Sequence, residues 1–110
     1  MDADRARELL ARERVRIELA LAELAPGSRE EVSDPQDADN APELLEAEIG
    51  VGYAQSLGEE LAAVARAEER VAAGTYGISV QSGEPIPDGR LEAIPWAERT
   101  AEEQSRYDAG

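Results

Sequence analysis

The chain contains no cysteine, no histidine and no lysine. Without Cys or His there is no thiolate zinc site, no disulfide frame, no Cys nucleophile and no His general base. Most zinc enzymes and every Ser-His-Asp arrangement are thereby excluded. Lysine is missing as an amine nucleophile too, and no glycine-rich phosphate loop follows a strand. The adjacent acids Glu59/Glu60 and Glu102/Glu103 point in different directions on a helix and make no catalytic pair. The expectation is a protein that is not an enzyme and carries no cofactor or metal. All 11 basic residues are Arg, and Ala is abundant, which reads as the base composition of the source genome. No apolar run approaches the length of a membrane span and no signal-like leader precedes the first helix, so a cytoplasmic protein without membrane contact is expected.

Acidity is what the chain has in excess, with a formal net charge of −14 over 110 residues. That argues against direct binding to DNA or RNA, which requires Lys/Arg to displace counterions. The balance is uneven. Residues 1–16 hold five Arg against four acids, so the rest of the chain carries −15. An acidic surface suits a partner with basic surface.

Residues 3–25 carry a helical stripe of Leu10, Ile17, Leu21 and Leu24, flanked by Leu9 and Val15. Asp2 or Asp4 can cap its start, and Pro26-Gly27 can end it. Residues 26–40 read as an acidic loop. A second helix is expected over 41–73, with Asn40 as N-cap, Pro42 in the first turn, Glu43 completing a capping box, and Gly74 as the stop. Leu57, Leu61, Val64, Glu68 and Val71 form a coiled-coil seam with one polar position. Gly50, Gly52 and Gly58 each cost about 1 kcal/mol relative to Ala, so a bend or break near Gly50–Gly52 is possible. The two helices should pack as an antiparallel hairpin, giving a unit over 1–73 and a second over 74–110.

Residues 74–110 lack a long period. Ile78–Val80 and Glu84–Ile86 are expected to form a tiny hairpin around Gln81-Ser82-Gly83. Pro87-Asp88-Gly89 should be a turn, and a short C-terminal helix should begin near Pro95 and cover about 95–107. Two polar pairs stand at x-x spacing: Ser79 with Ser82, and Thr100 with Glu103.

The order of these features resembles the DksA/TraR family of bacterial RNA-polymerase-binding regulators, in which a coiled coil is followed by a C4 zinc finger. Tyr76, Gly77, Gly83, Ile86, Arg90, Leu91, Ala93 and Pro95 match the family pattern at its spacing, over roughly residues 40–104. By this resemblance Ser79, Ser82, Thr100 and Glu103 stand where the family has its four cysteines. Three alcohols and one carboxylate do not make a tetrahedral zinc site. A structural zinc supplies on the order of 10–16 kcal/mol of apparent binding energy. That support is expected instead from Tyr76, Ile78, Val80, Ile86, Leu91, Ile94 and Trp96. The four former ligand positions are then packing sites first, with hydrogen bonds among hydroxyls and turn amides as the alternative.

The resemblance further implies that a coiled-coil tip of the form D-x-x-D-x-A enters the polymerase secondary channel. Counting back without gaps places Gln36, Asp39 and Ala41 there, with Asp34 and Asp37 nearby. Where responsive relatives hold guanosine tetraphosphate, this chain offers Ile94, Glu60, Ala63 and Gln104, which give a polyanion little to bind. The implied function is a monomeric transcription regulator that binds RNA polymerase and acts independently of that nucleotide. The alternative is a degenerate coiled-coil adaptor for another basic protein.

Overall fold

The computed structural model describes residues 1–24 and 41–110, with 41–51 described as helical backbone alone. Among the described residues four helices follow in order: α1 (Ala3–Leu24), α2 (Ala41–Ala73), α3 (Asp88–Ala93) and α4 (Ala101–Ala109). Among the described residues no strand forms, and β structure is limited to an isolated antiparallel bridge between Ile78 and Pro85.

The helical period of the sequence becomes the packing of α1 on α2. Ala6, Leu10 and Ile17 of α1 meet Leu57, Val64, Ala67 and Val71 of α2 in one buried cluster, with Leu21 and Leu61 half-buried at its edge. Full burial of side chains such as Leu10, Ile17 and Leu57 stabilises the hairpin by about 1.5–3 kcal/mol each. Val15, expected beside the stripe, is instead exposed, because two residues from Ile17 is the opposite side of a helix. Arg14 pairs with Glu68 and Arg16 with Glu60, so numbers rise along one helix as they fall along the other and the pair is antiparallel. Glu68 is the polar position in the α2 seam, and Arg14 fills the same level on α1, its Nε 3.3 Å from Glu68 Oε2.

α1 begins as Asp2 accepts the Asp4 N–H at 3.4 Å. α2 runs unbroken through Gly52 and Gly58, so the bend or break considered near Gly50–Gly52 is not a break. Packing of the later turns outweighs the glycine cost. α2 ends in a Schellman motif. Gly74, at φ +79°, gives its N–H to Val71 O, and Thr75 gives its N–H to Arg70 O. With 33 residues against 22, α2 outreaches α1 by about 16 Å at the end away from residues 74–110.

Residues 74–110 depart from expectation in three places. Pro87-Asp88-Gly89 does not stop as a turn: Pro87 O accepts the N–H groups of both Arg90 and Leu91, and the chain continues into α3. The C-terminal helix starts at Ala101 rather than near Pro95. Pro95 is buried, and its carbonyl accepts the Tyr76 hydroxyl at 2.8 Å. Ile78 and Val80, expected in the core, are 42% and 51% exposed. They flank Ser79 in extended chain, and alternation turns them outward when Ser79 turns inward. The local core is Ile86, Leu91 and Ala97, with Tyr76 and Ile94 half-buried against it. Trp96, half-buried, packs on the hairpin cluster.

Candidate functional site

Ser79 arrives on the bridged turn. Its N–H donates to Glu84 O at 2.8 Å, and Gly83, at φ +78°, returns an N–H to Ser79 O at 3.0 Å. The Ser79 hydroxyl is fully used. It donates to Glu103 Oε1 at 2.6 Å and accepts the N–H groups of Gln81 and Ser82 at 3.1 and 3.2 Å. Thr100 and Glu103 arrive on the first turn of α4 as a reciprocal capping box: Glu103 N–H donates to Thr100 Oγ1 at 3.2 Å, and Thr100 N–H donates to Glu103 Oε1 at 3.0 Å.

The four x-x-spaced positions therefore converge, and Glu103 is their hub. The residue is 8% exposed, and its carboxylate takes one hydroxyl and one amide on a single oxygen. Hydrogen bonding from Ser79, then Ser82, then the Thr100 backbone holds the Glu103 carboxyl down at about 2, against a small opposing push from burial. The anion also sits at the N-terminus of α4, where the helix dipole favours it. The expectation that these positions serve first as packing sites gives way to a charged hydrogen-bonded cluster. Its signal is in the sequence: Thr100-x-x-Glu103 has the form of a capping box as well as that of a vacated ligand pair.

This geometry does not fit a structural zinc. The Ser79 hydroxyl donates to the sole carboxylate of the set and accepts two amides, and Thr100 Oγ1 accepts a third. The set contains no sulfur or imidazole nitrogen, the donors that close such sites.

The tip candidates Asp34, Gln36, Asp37 and Asp39 lie outside the described residues, and Ala41 is described only as the first residue of α2. The other positions singled out are engaged within the chain. Glu60 accepts Arg16 Nη2 at 2.7 Å, Gln104 donates to Asp108 at 2.9 Å, Ala63 is buried and Ile94 is half-buried. Arg90 donates from Nε to the Arg99 carbonyl at 2.9 Å, so its partner is backbone rather than a local acid.

Residues 74–109 match the family model of the prokaryotic dksA/traR C4-type zinc finger. The fold as a whole superposes on the structure of transcription factor DksA2 from Pseudomonas aeruginosa with a TM-score of 0.72 and 32% identity, covering 97% of this chain and 83% of that one. The chain belongs to the DksA/TraR family. Two proteins of Bacillus subtilis (strain 168) are also similar. General stress protein 16O is 45% identical over 47 residues, 43% of this chain and 29% of its own length. The uncharacterized protein YteA is 37% identical over 73 residues, 66% of this chain and 30% of its own. The matches thus span less than a third of these two curated relatives. Within the family this chain is a member whose zinc-finger segment holds Ser, Ser, Thr and Glu around a carboxylate centre.

Proposed function

We propose that the protein is a transcription regulator that binds RNA polymerase, extends the far end of its hairpin into the secondary channel, and acts without guanosine tetraphosphate. The observation that carries this reading is the likeness to a transcription factor over 97% of the chain. The longer α2 gives the hairpin a projecting end, and the segment that joins the helices holds Asp34, Gln36, Asp37 and Asp39. Acids carried there would act on water or residues near the catalytic magnesium of a polymerase. Independence from the nucleotide is supported by Glu60, Gln104, Ile94 and Ala63, none of which offers a free cation.

The test is binding to core polymerase, followed by transcription with Asp39→Asn. The expected outcome is tight binding by both proteins, with transcriptional effects falling about tenfold for the variant and stability unchanged within about 0.5 kcal/mol. Promoter output should also be the same with and without guanosine tetraphosphate when polymerase lacks any other site for it. Absence of polymerase binding would favour the adaptor reading, for which Gln36 in place of the first tip acid is the supporting observation.

A further inference from the structure

On the hairpin, arginines meet carboxylates generously. Arg5 faces Glu8 and Glu92, Arg14 faces Glu18 and Glu68, and Arg16 faces Glu13 and Glu60. Around Glu98 the ratio inverts. Arg66 Nε lies 2.6 Å and Arg70 Nη1 3.4 Å from Glu98 Oε1, and Arg99 Nη1 lies 3.9 Å from Oε2. Burial pushes the Glu98 carboxyl up, but Arg66 and Arg70 outweigh it and hold the group below its usual range, so it is an anion at neutral pH. Arginine does not give up its proton. Three guanidiniums on one carboxylate leave an excess of positive charge among the described ion pairs, in a chain whose net charge is −14.

Two guanidinium nitrogens within the cluster, Arg70 Nη2 and Arg99 Nε, have no acceptor among the described residues, and both are closed off from solvent, so a partner group meets Arg66 first. Buried charged donors are ordinarily paired. The surroundings add the features of a protein contact. Arg99 is held over the Tyr107 ring, 3.9 Å from its centroid, and Tyr107 is 62% exposed. The Val80 N–H donates to the Glu98 carbonyl at 2.8 Å, which sets the half-exposed Val80 side chain at the same edge. Arg66 stands 53% exposed on α2. Exposed Tyr and Arg side by side, with an apolar rim, is the composition of interface hot spots.

We propose that the Arg66–Arg70–Arg99 cluster, edged by Tyr107 and Val80, is a docking surface for an acidic segment of RNA polymerase, one of whose carboxylates meets the exposed Arg66 beside Glu98. The inference rests on polymerase being the partner and adds a contact remote from the hairpin tip. A carboxylate on a protein fits better than a phosphate chain. The apolar and aromatic rim can pack against the side chains of a peptide and has no use for an extended polyphosphate.

The test uses the full chain, core polymerase and two charge reversals. Arg66→Glu should weaken binding about tenfold at low salt, with the difference shrinking as salt rises. Arg7→Glu on α1, the same change in net charge, should bind within about twofold of the unmodified chain, and Arg66→Gln should fall between. Arg66→Glu also loses a partner of Glu98, so binding is compared at a temperature where circular dichroism shows every variant fully folded. Equal binding by Arg66→Glu and the unmodified chain would overturn this surface and leave the polymerase reading standing. Failure of the unmodified chain to bind would overturn both. The ligand class is read from the Nε–Hε resonances of Arg66 and Arg99 during titration with a six-residue Glu/Leu peptide, its Gln/Leu counterpart and inorganic phosphate. Shifts with the acidic peptide alone support the assignment. Shifts as large with phosphate would overturn it.

Discussion

Glu103 shows how one residue can take over an organising role from a different chemistry. A metal draws four ligands together by charge, and here the charge is on the ligand side. A carboxylate gathers the Ser79 hydroxyl and the Thr100 amide, while Ser79 in turn gathers two amides of its own turn. The folded-state carboxyl is held at about 2, below its ordinary value of 4.5. Its stabilising contribution is therefore fully present above about pH 5, declines below that, and is lost as pH falls through about 2. A urea titration monitored at steps from pH 7 to 2 should show that decline, and Glu103→Gln should remove its share of it, being weaker at pH 7 and converging on the unmodified chain in acid. Ser79→Ala leaves two turn amides without an acceptor and the carboxylate without its shortest donor, and should cost about 1–3 kcal/mol. Unchanged stability of both variants at pH 7 would mean that the cluster is a bystander to the fold.

The elements differ in how far they could be read beforehand, and the difference is physical. α1 and α2 are long, and each turn repeats the same demand, so Leu10, Ile17, Leu57 and Val64 locate the buried face without further information. Segments of six to nine residues carry no such redundancy. α3 forms because Pro87 O catches two successive amides, and α4 because Thr100 and Glu103 cap each other. Both events hang on two hydrogen bonds at the start of the element rather than on a repeated apolar period. Pro95 was a plausible helix start by its fixed φ, but its carbonyl is drawn to Tyr76, which holds that stretch as a connector. The cluster around Glu98 was not legible at all, since Arg66, Arg70 and Arg99 come together only when the chain folds back. On α2 one glycine invites a direct test. Gly58 is exposed and an added Cβ would meet nothing within 4 Å. Gly58→Ala should stabilise the protein by up to about 1 kcal/mol and raise the melting temperature by a few degrees, with polymerase binding unchanged.

At the scale of the whole molecule the question is whether residues 74–110 can come apart from the hairpin. The contacts oppose it. Met1 and Tyr76 pack against both buried clusters, Trp96 packs on the hairpin cluster, and Arg5 of α1 pairs with Glu92 of α3 at 3.0 Å. A segment with three fully committed core residues of its own, Ile86, Leu91 and Ala97, is too small to stand alone without a metal or disulfide. We propose that the described chain unfolds as one cooperative unit, stabilised by the hairpin where the family model describes a C4-type zinc finger. Far-UV circular dichroism reports mainly α1 and α2, and Trp96 is the sole tryptophan, so its fluorescence reports the contact between the two parts. The two probes should melt at the same temperature, and a chelator should leave that temperature unchanged. An early fluorescence transition would show that the C-terminal segment releases first. A chelator-induced drop would return a metal to the account and remove Glu103 from its centre.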